Sequence, residues 1–74
     1  MPNAKPTKLS PSELVKQLHL MGLSDSEVAK EAGCSTSFIN RIRRGSSEPK
    51  WDVYDRIVQL HKERMLYIRK ELGL

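Results

Sequence analysis

A small all-α protein of four helices and no strand is predicted, with a helix-turn-helix and an extended C-terminal helix. Three observations predict it. Serines stand where helix starts need a cap, at Ser10, Ser24 and Ser35. Glycines at 22, 33 and 45 follow the apolar stretches they would end. Apolar residues recur at intervals of three and four, and no alternating run reads as a strand.

The first helix begins at Ser10-Pro11-Ser12-Glu13. Ser10 is placed to cap free N–H groups, Pro11 suits the first helical position, and Glu13 is spaced to complete a capping box. Leu14, Val15, Leu18 and Met21 follow at helical spacing, and Gly22 stops the run. Ser24-Asp25-Ser26-Glu27 repeats the device for a second helix, with Val28 and Ala32 on one face and Ala29 beside them. Gly33 interrupts it, and Ser35 caps a third helix running from Thr36 to about Arg43, with Ile39 and Ile42 inward. Gly45 closes that helix, and Ser46-Ser47-Glu48-Pro49 reads as a loop. Residues 51–72 hold no proline or glycine. There Tyr54, Ile57, Val58, His61, Met65, Ile68 and Leu72 suit a long amphipathic helix, which Trp51 is expected to anchor to the core. Residues 1–9 read as a flexible basic arm containing Lys5 and Lys8, and 10–74 as one domain.

The 74 residues suffice for one small domain. The net charge of +4 favours an acidic partner, of which nucleic acid is the commonest. Cys34 is the single cysteine, so no internal disulfide can form; at a buried turn it is expected to be an inert thiol. His19, His61 and Cys34 are too scattered for a metal set, and no cofactor is implied. No apolar run approaches the roughly 20 residues a membrane helix needs, and no leader-like stretch opens the chain, so a cytoplasmic location without membrane contact is expected. No nucleophile–base pair, carboxylate pair or phosphate loop is evident. An enzyme with a small-molecule substrate is therefore the class least expected.

The informative stretch is 25–45. Two short helices that cross steeply need a small residue where they touch, which Ala29 supplies, and a permissive turn, which Gly33 supplies. Val28, Ala32, Cys34, Ile39 and Ile42 would fill the angle between them. Thr36, Ser37, Asn40, Arg41 and Arg44 are left facing outward, all polar and without an evident structural task. Residues 41–50 hold Arg41, Arg43, Arg44 and Lys50 against Glu48 alone. Such a run is also what a solvated helix C-terminus prefers.

These residues resemble the Cro/repressor-type, or lambda repressor-like, helix-turn-helix proteins of bacteriophages and bacteria. Gly22-Leu23-Ser24, Glu27-Val28-Ala29 and Ala32-Gly33 are similar to that family's second helix and turn. Phe38-Ile39-Asn40-Arg41-Ile42, followed by Gly45, is similar to its recognition helix. The resemblance spans roughly residues 14–60 and implies a compact bundle of four to five helices and operator binding by a dimer on double-stranded DNA, as a transcriptional repressor. By position it implies base contacts from Thr36, Ser37 and Arg41, the last bidentate to guanine, and a contact from Asn40 to a base edge or a phosphate. Phe38 stands where family members touch a thymine methyl; the other reading packs it against a neighbouring helix. Phosphate contacts are implied for Arg43, Arg44 and Lys50, with the arm residues Lys5 and Lys8 reaching around the duplex. One departure stands out. Many members place a glutamine at the position of Asp25, where it meets a phosphate. An anion there would be repelled, so Ser24 or Ser26 is expected to make that contact and Asp25 to serve the helix N-terminus.

Tyr54, Val58, His61, Met65, Ile68 and Leu72 are spaced as in a coiled-coil seam. Two readings follow. In one, Met65, Leu66, Ile68 and Leu72 join two copies as a homodimer; in the other, the segment folds back on its own domain. An antitoxin-like regulator would use the same helix to hold a different protein, and a pure protein-interaction module would not touch DNA at all.

Overall fold

A computed structural model describes residues 9–73 and gives four α-helices: α1 (Pro11–Leu20), α2 (Asp25–Ala32), α3 (Thr36–Arg43) and α4 (Trp51–Glu71). No strand occurs among the described residues, so the fold is an all-α bundle. Lys5 and Lys8 lie outside the described residues.

The caps fall where the serines stand. The Ser10 hydroxyl accepts the Glu13 N–H (3.2 Å), without the return bond expected from the Glu13 carboxylate. At α2 both halves of the box form: Glu27 N–H donates to Ser24 Oγ (3.1 Å) and Ser24 N–H to Glu27 Oε1 (2.8 Å). Hydrogen bonding from Ser24, its backbone N–H first and then its hydroxyl, holds the Glu27 carboxyl below its ordinary pKa. Ser35 caps α3 through the Phe38 N–H at 3.1 Å.

The core takes one face from each helix: Leu14, Val15 and Leu18 of α1, Val28, Ala29 and Ala32 of α2, Ile39 and Ile42 of α3, Ile57 and Leu60 of α4. Both α3 and α4 pack on α1 and α2 but not on each other, so they occupy different sides of the α1–α2 pair. Leu60 is not among the apolar positions that the spacing of residues 51–72 marks, yet it sits one turn beyond Ile57 and only 8% of it is exposed.

Two polar ties fix α4 along α1. Tyr54 Oη donates to the Leu9 carbonyl (3.1 Å), and His61 Nε2 lies 2.7 Å from Gln17 Oε1, an oxygen that can only accept. Both pairings advance in the same chain direction, so the two helices run in the same sense. Leu9, assigned to the arm by sequence, is half-buried against the core and belongs to the folded unit. Because α1 ends at Leu20 while α4 continues to Glu71, the last two turns of α4 project beyond it. Met65, Leu66, Tyr67 and Leu72 are exposed there, and Ile68 is half-buried.

Trp51 does not anchor α4: it is 75% exposed. Six positions before the buried Ile57, it lies about 120° away around a helix of 3.6 residues per turn, off the face that meets α1 and α2.

Gly33 ends α2 in the left-handed conformation, at φ 75° and ψ 36°. A Cβ there would stand 2.8 Å from Nη1 of Arg56, whose side chain covers the turn from α4. Gly33→Ala is therefore expected to destabilise the fold by about 1–2 kcal/mol, the cost of a side chain in this backbone region. In a domain of this size that lowers Tm by at least roughly 4–8 °C, measurable by thermal denaturation followed by circular dichroism.

Candidate nucleic-acid interface

The sequence of α3 divides its surface sharply. At about 100° per residue, Ile39 and Ile42 fall within one narrow sector. Both are fully buried. Thr36, Ser37, Asn40, Arg41 and Arg44 occupy an arc of about 140° on the opposite side. Thr36, Ser37, Arg41 and Arg44 are exposed, and Asn40 is half-buried. Helix α3 carries no acidic residue.

Phe38 and Arg43 stand at the two shoulders of that arc, and both are half-buried. The Phe38 ring packs against the core, with the Arg41 guanidinium 5.8 Å from its centroid. That separation is within reach of a cation–π attraction. The arrangement matches the packing role weighed for Phe38.

Arg43 has a partner that the sequence reading did not foresee. Its Nε donates to Asp25 Oδ1 (3.2 Å) and its Nη2 to Asp25 Oδ2 (2.9 Å), a two-pronged ion pair. Rather than standing free for a phosphate, the Arg43 guanidinium is committed to the first residue of α2. It would have to share or release Asp25 to reach a phosphate. The Asp25 side chain is only 17% exposed, and its carboxyl is held below its ordinary pKa, first by the Arg43 hydrogen bond against the opposing effect of burial. The departure noted at this position thus has a structural explanation: the anion is neutralised within the protein, and its task extends beyond the start of α2. No local spacing signals the pair, because the partners are 18 residues apart and meet only when α2 and α3 cross.

The network continues outward. Asn40 Nδ2 donates to Asp25 Oδ2 at 3.4 Å, a long bond, and Asn40 Oδ1 accepts from Arg44 Nη1 at 3.1 Å. On the inner side, Ser12 Oγ of α1 donates to the Arg43 carbonyl (2.8 Å). The end of α3 is thereby tied to both helices beneath it. Beyond it, Ser46 N–H bonds to the Arg41 carbonyl (2.9 Å) and Gly45 N–H to that of Ile42 (3.0 Å), closing the helix around a left-handed glycine.

The remaining residues of the expected interface lie at its margins. Ser26 is exposed; Ser24 is exposed too, but its hydroxyl is already used as the α2 cap. Lys50 is exposed at the start of α4. Cys34 is half-buried in the turn, where burial pushes its thiol pKa up and so suppresses the reactive thiolate. Among the described residues no three His, Cys, Asp or Glu side chains group as metal ligands, and no helix is long and apolar enough to cross a membrane.

No family model, curated protein or solved structure matches the chain.

Proposed function

We propose that the protein is a sequence-specific double-stranded DNA-binding regulator, a Cro-like transcriptional repressor that lays α3 in the major groove. The reading rests above all on one observation: the polar, acid-free arc of α3 faces solvent directly opposite the fully buried Ile39 and Ile42. A rigid apolar underside with an exposed donor-rich ridge is what major-groove readout needs, since base edges are read by hydrogen bonds from a positioned helix. Thr36, Ser37 and Arg41 are the base readers in this reading, Arg41 through guanine O6 and N7. Arg44 and Lys50 hold phosphates, which fix register but carry no sequence information directly.

The projecting end of α4 supports a protein partner beside the DNA. Its exposed Met65, Leu66 and Leu72, with Ile68 at their edge, suit a second copy of the chain, and two copies would place their α3 helices about 34 Å apart on a pseudo-palindrome. The same apolar end would serve an antitoxin holding a different protein.

Random-site selection on purified protein, followed by footprinting, tests the proposal. The expected result is one enriched motif with two related half-sites a helical turn apart, bound with an affinity that falls steeply as salt rises. Failure to enrich any sequence, together with no salt-dependent binding to duplex DNA, would refute it. A single unpaired half-site would refute the dimer alone.

A further inference from the structure

The cluster at the crossing of α2 and α3 contains more than an ion pair. Asp25 occupies the first position of α2, and both its carboxylate oxygens are used by α3: Oδ1 by Arg43 Nε, Oδ2 by Arg43 Nη2 and Asn40 Nδ2. The Asn40 amide has two ends, and a carboxylate can only accept. Asp25 therefore turns the Asn40 NH2 group inward and its oxygen outward, and that oxygen holds the Arg44 guanidinium. Asn40 and Arg44 lie on the exposed arc of α3, one turn apart. The chain of bonds runs from a largely covered carboxylate, through a half-buried amide, to an exposed cation.

We infer that Asp25 is a positioning residue for DNA recognition: it clamps α3 through Arg43, sets the Asn40 amide so that Arg44 is held over the phosphate track, and withholds Arg43 from the DNA. The inference rests on the DNA-binding reading and adds to it in two ways. Asn40 becomes an orienting group rather than a base reader, since its outward oxygen is occupied by Arg44 and its NH2 faces the protein. The free cations at this end of α3 become Arg41 and Arg44, joined across the loop by Lys50. The clamp trades one non-specific phosphate contact for a fixed recognition helix.

That trade has a signature which simple destabilisation would not produce. Removing the Asp25 charge releases Arg43, so Asp25→Asn is expected to bind a random-sequence duplex more tightly than the parent. Its log–log salt dependence should steepen by about 0.9, the value of one added phosphate contact. Its preference for the selected motif over random duplex should fall by about tenfold, the scale of one well-placed polar contact. In Asp25→Asn/Arg43→Ala the salt slope should return to the parent value. Circular dichroism of each variant establishes that the folded fraction is being compared. An unchanged or shallower slope in folded Asp25→Asn overturns the inference, as does a steeper slope that persists in the double variant.

A second measurement needs no DNA. NMR titration of the Asp25 carboxyl carbon is expected to show a depressed pKa that rises in Arg43→Ala. An ordinary value in the parent protein overturns the clamp whatever the DNA result. A depressed value in a protein that binds no duplex leaves the clamp standing and overturns its assignment to DNA recognition, along with the proposed function.

Discussion

Replacing Ile42 by alanine is expected to cost about 2–5 kcal/mol, because it opens a cavity beneath α3 that close-packed neighbours fill only in part. A domain of this length carries roughly 4–11 kcal/mol in total, so the substitution removes a large share of its stability. Ile42 is fully buried, and α3 rests through it and Ile39 on α1 and α2. Urea denaturation should show the midpoint fall with little change in slope. Leu66→Ala is the informative control. Leu66 is 64% exposed on the projecting part of α4, and its truncation should stay within about 0.5 kcal/mol for the isolated chain. A similar loss in both variants would mean that the core is not centred under α3.

The second large effect concerns readout. Arg41→Ala is expected to lower affinity for the preferred site by about 1–3 kcal/mol, roughly 5- to 150-fold, and to erase the base preference at a single position. Arg41 lies in the exposed arc, with the Phe38 ring within cation–π reach beside it. Arg44→Ala should behave differently. It should weaken all sequences about equally and reduce the salt slope by about 0.9. Competition binding against single-base variants of the selected site, repeated at several salt concentrations, separates the two. If Arg41→Ala weakened every sequence equally, Arg41 would be a phosphate contact and the base-reading assignment would fall to Thr36 and Ser37.

Acid provides a view of the clamp that does not depend on DNA. The folded Asp25 carboxyl titrates below its unfolded value, mainly because of Arg43. Its contribution to stability is therefore complete above the unfolded pKa and fades as pH drops through the folded one.

The chain announces its helices plainly. Ser24 and Glu27, Ser35, Gly33 and the apolar pairs Val28/Ala32 and Ile39/Ile42 all act within a few residues of themselves, so capping, turn conformation and inward facing follow from local rules. The outward arc of α3 was legible for the same reason, being the complement of Ile39 and Ile42. What spacing could not supply was partnership between elements. Asp25 and Arg43 are unremarkable apart, one at a helix start and one at a helix end, and each had a sufficient local explanation in the helix dipole. Only the crossing of α2 and α3 makes them neighbours. Trp51 failed in the opposite direction: bulk and apolarity suggested an anchor, but its place on the α4 helical wheel turns it outward. Whether the end of α4 meets another chain is likewise a property of two surfaces, of which the sequence describes one.

The outward position of Trp51 has a practical consequence. It is the sole indole in the chain, so ultraviolet emission from the whole protein comes largely from a water-exposed ring. Denaturant should change the colour of that light little, and a fluorescence melt would report a deceptively flat curve for a cooperative transition. Any molecule that covers the start of α4 should shift the emission to shorter wavelength, making this tryptophan a poor thermometer but a built-in optical probe of docking.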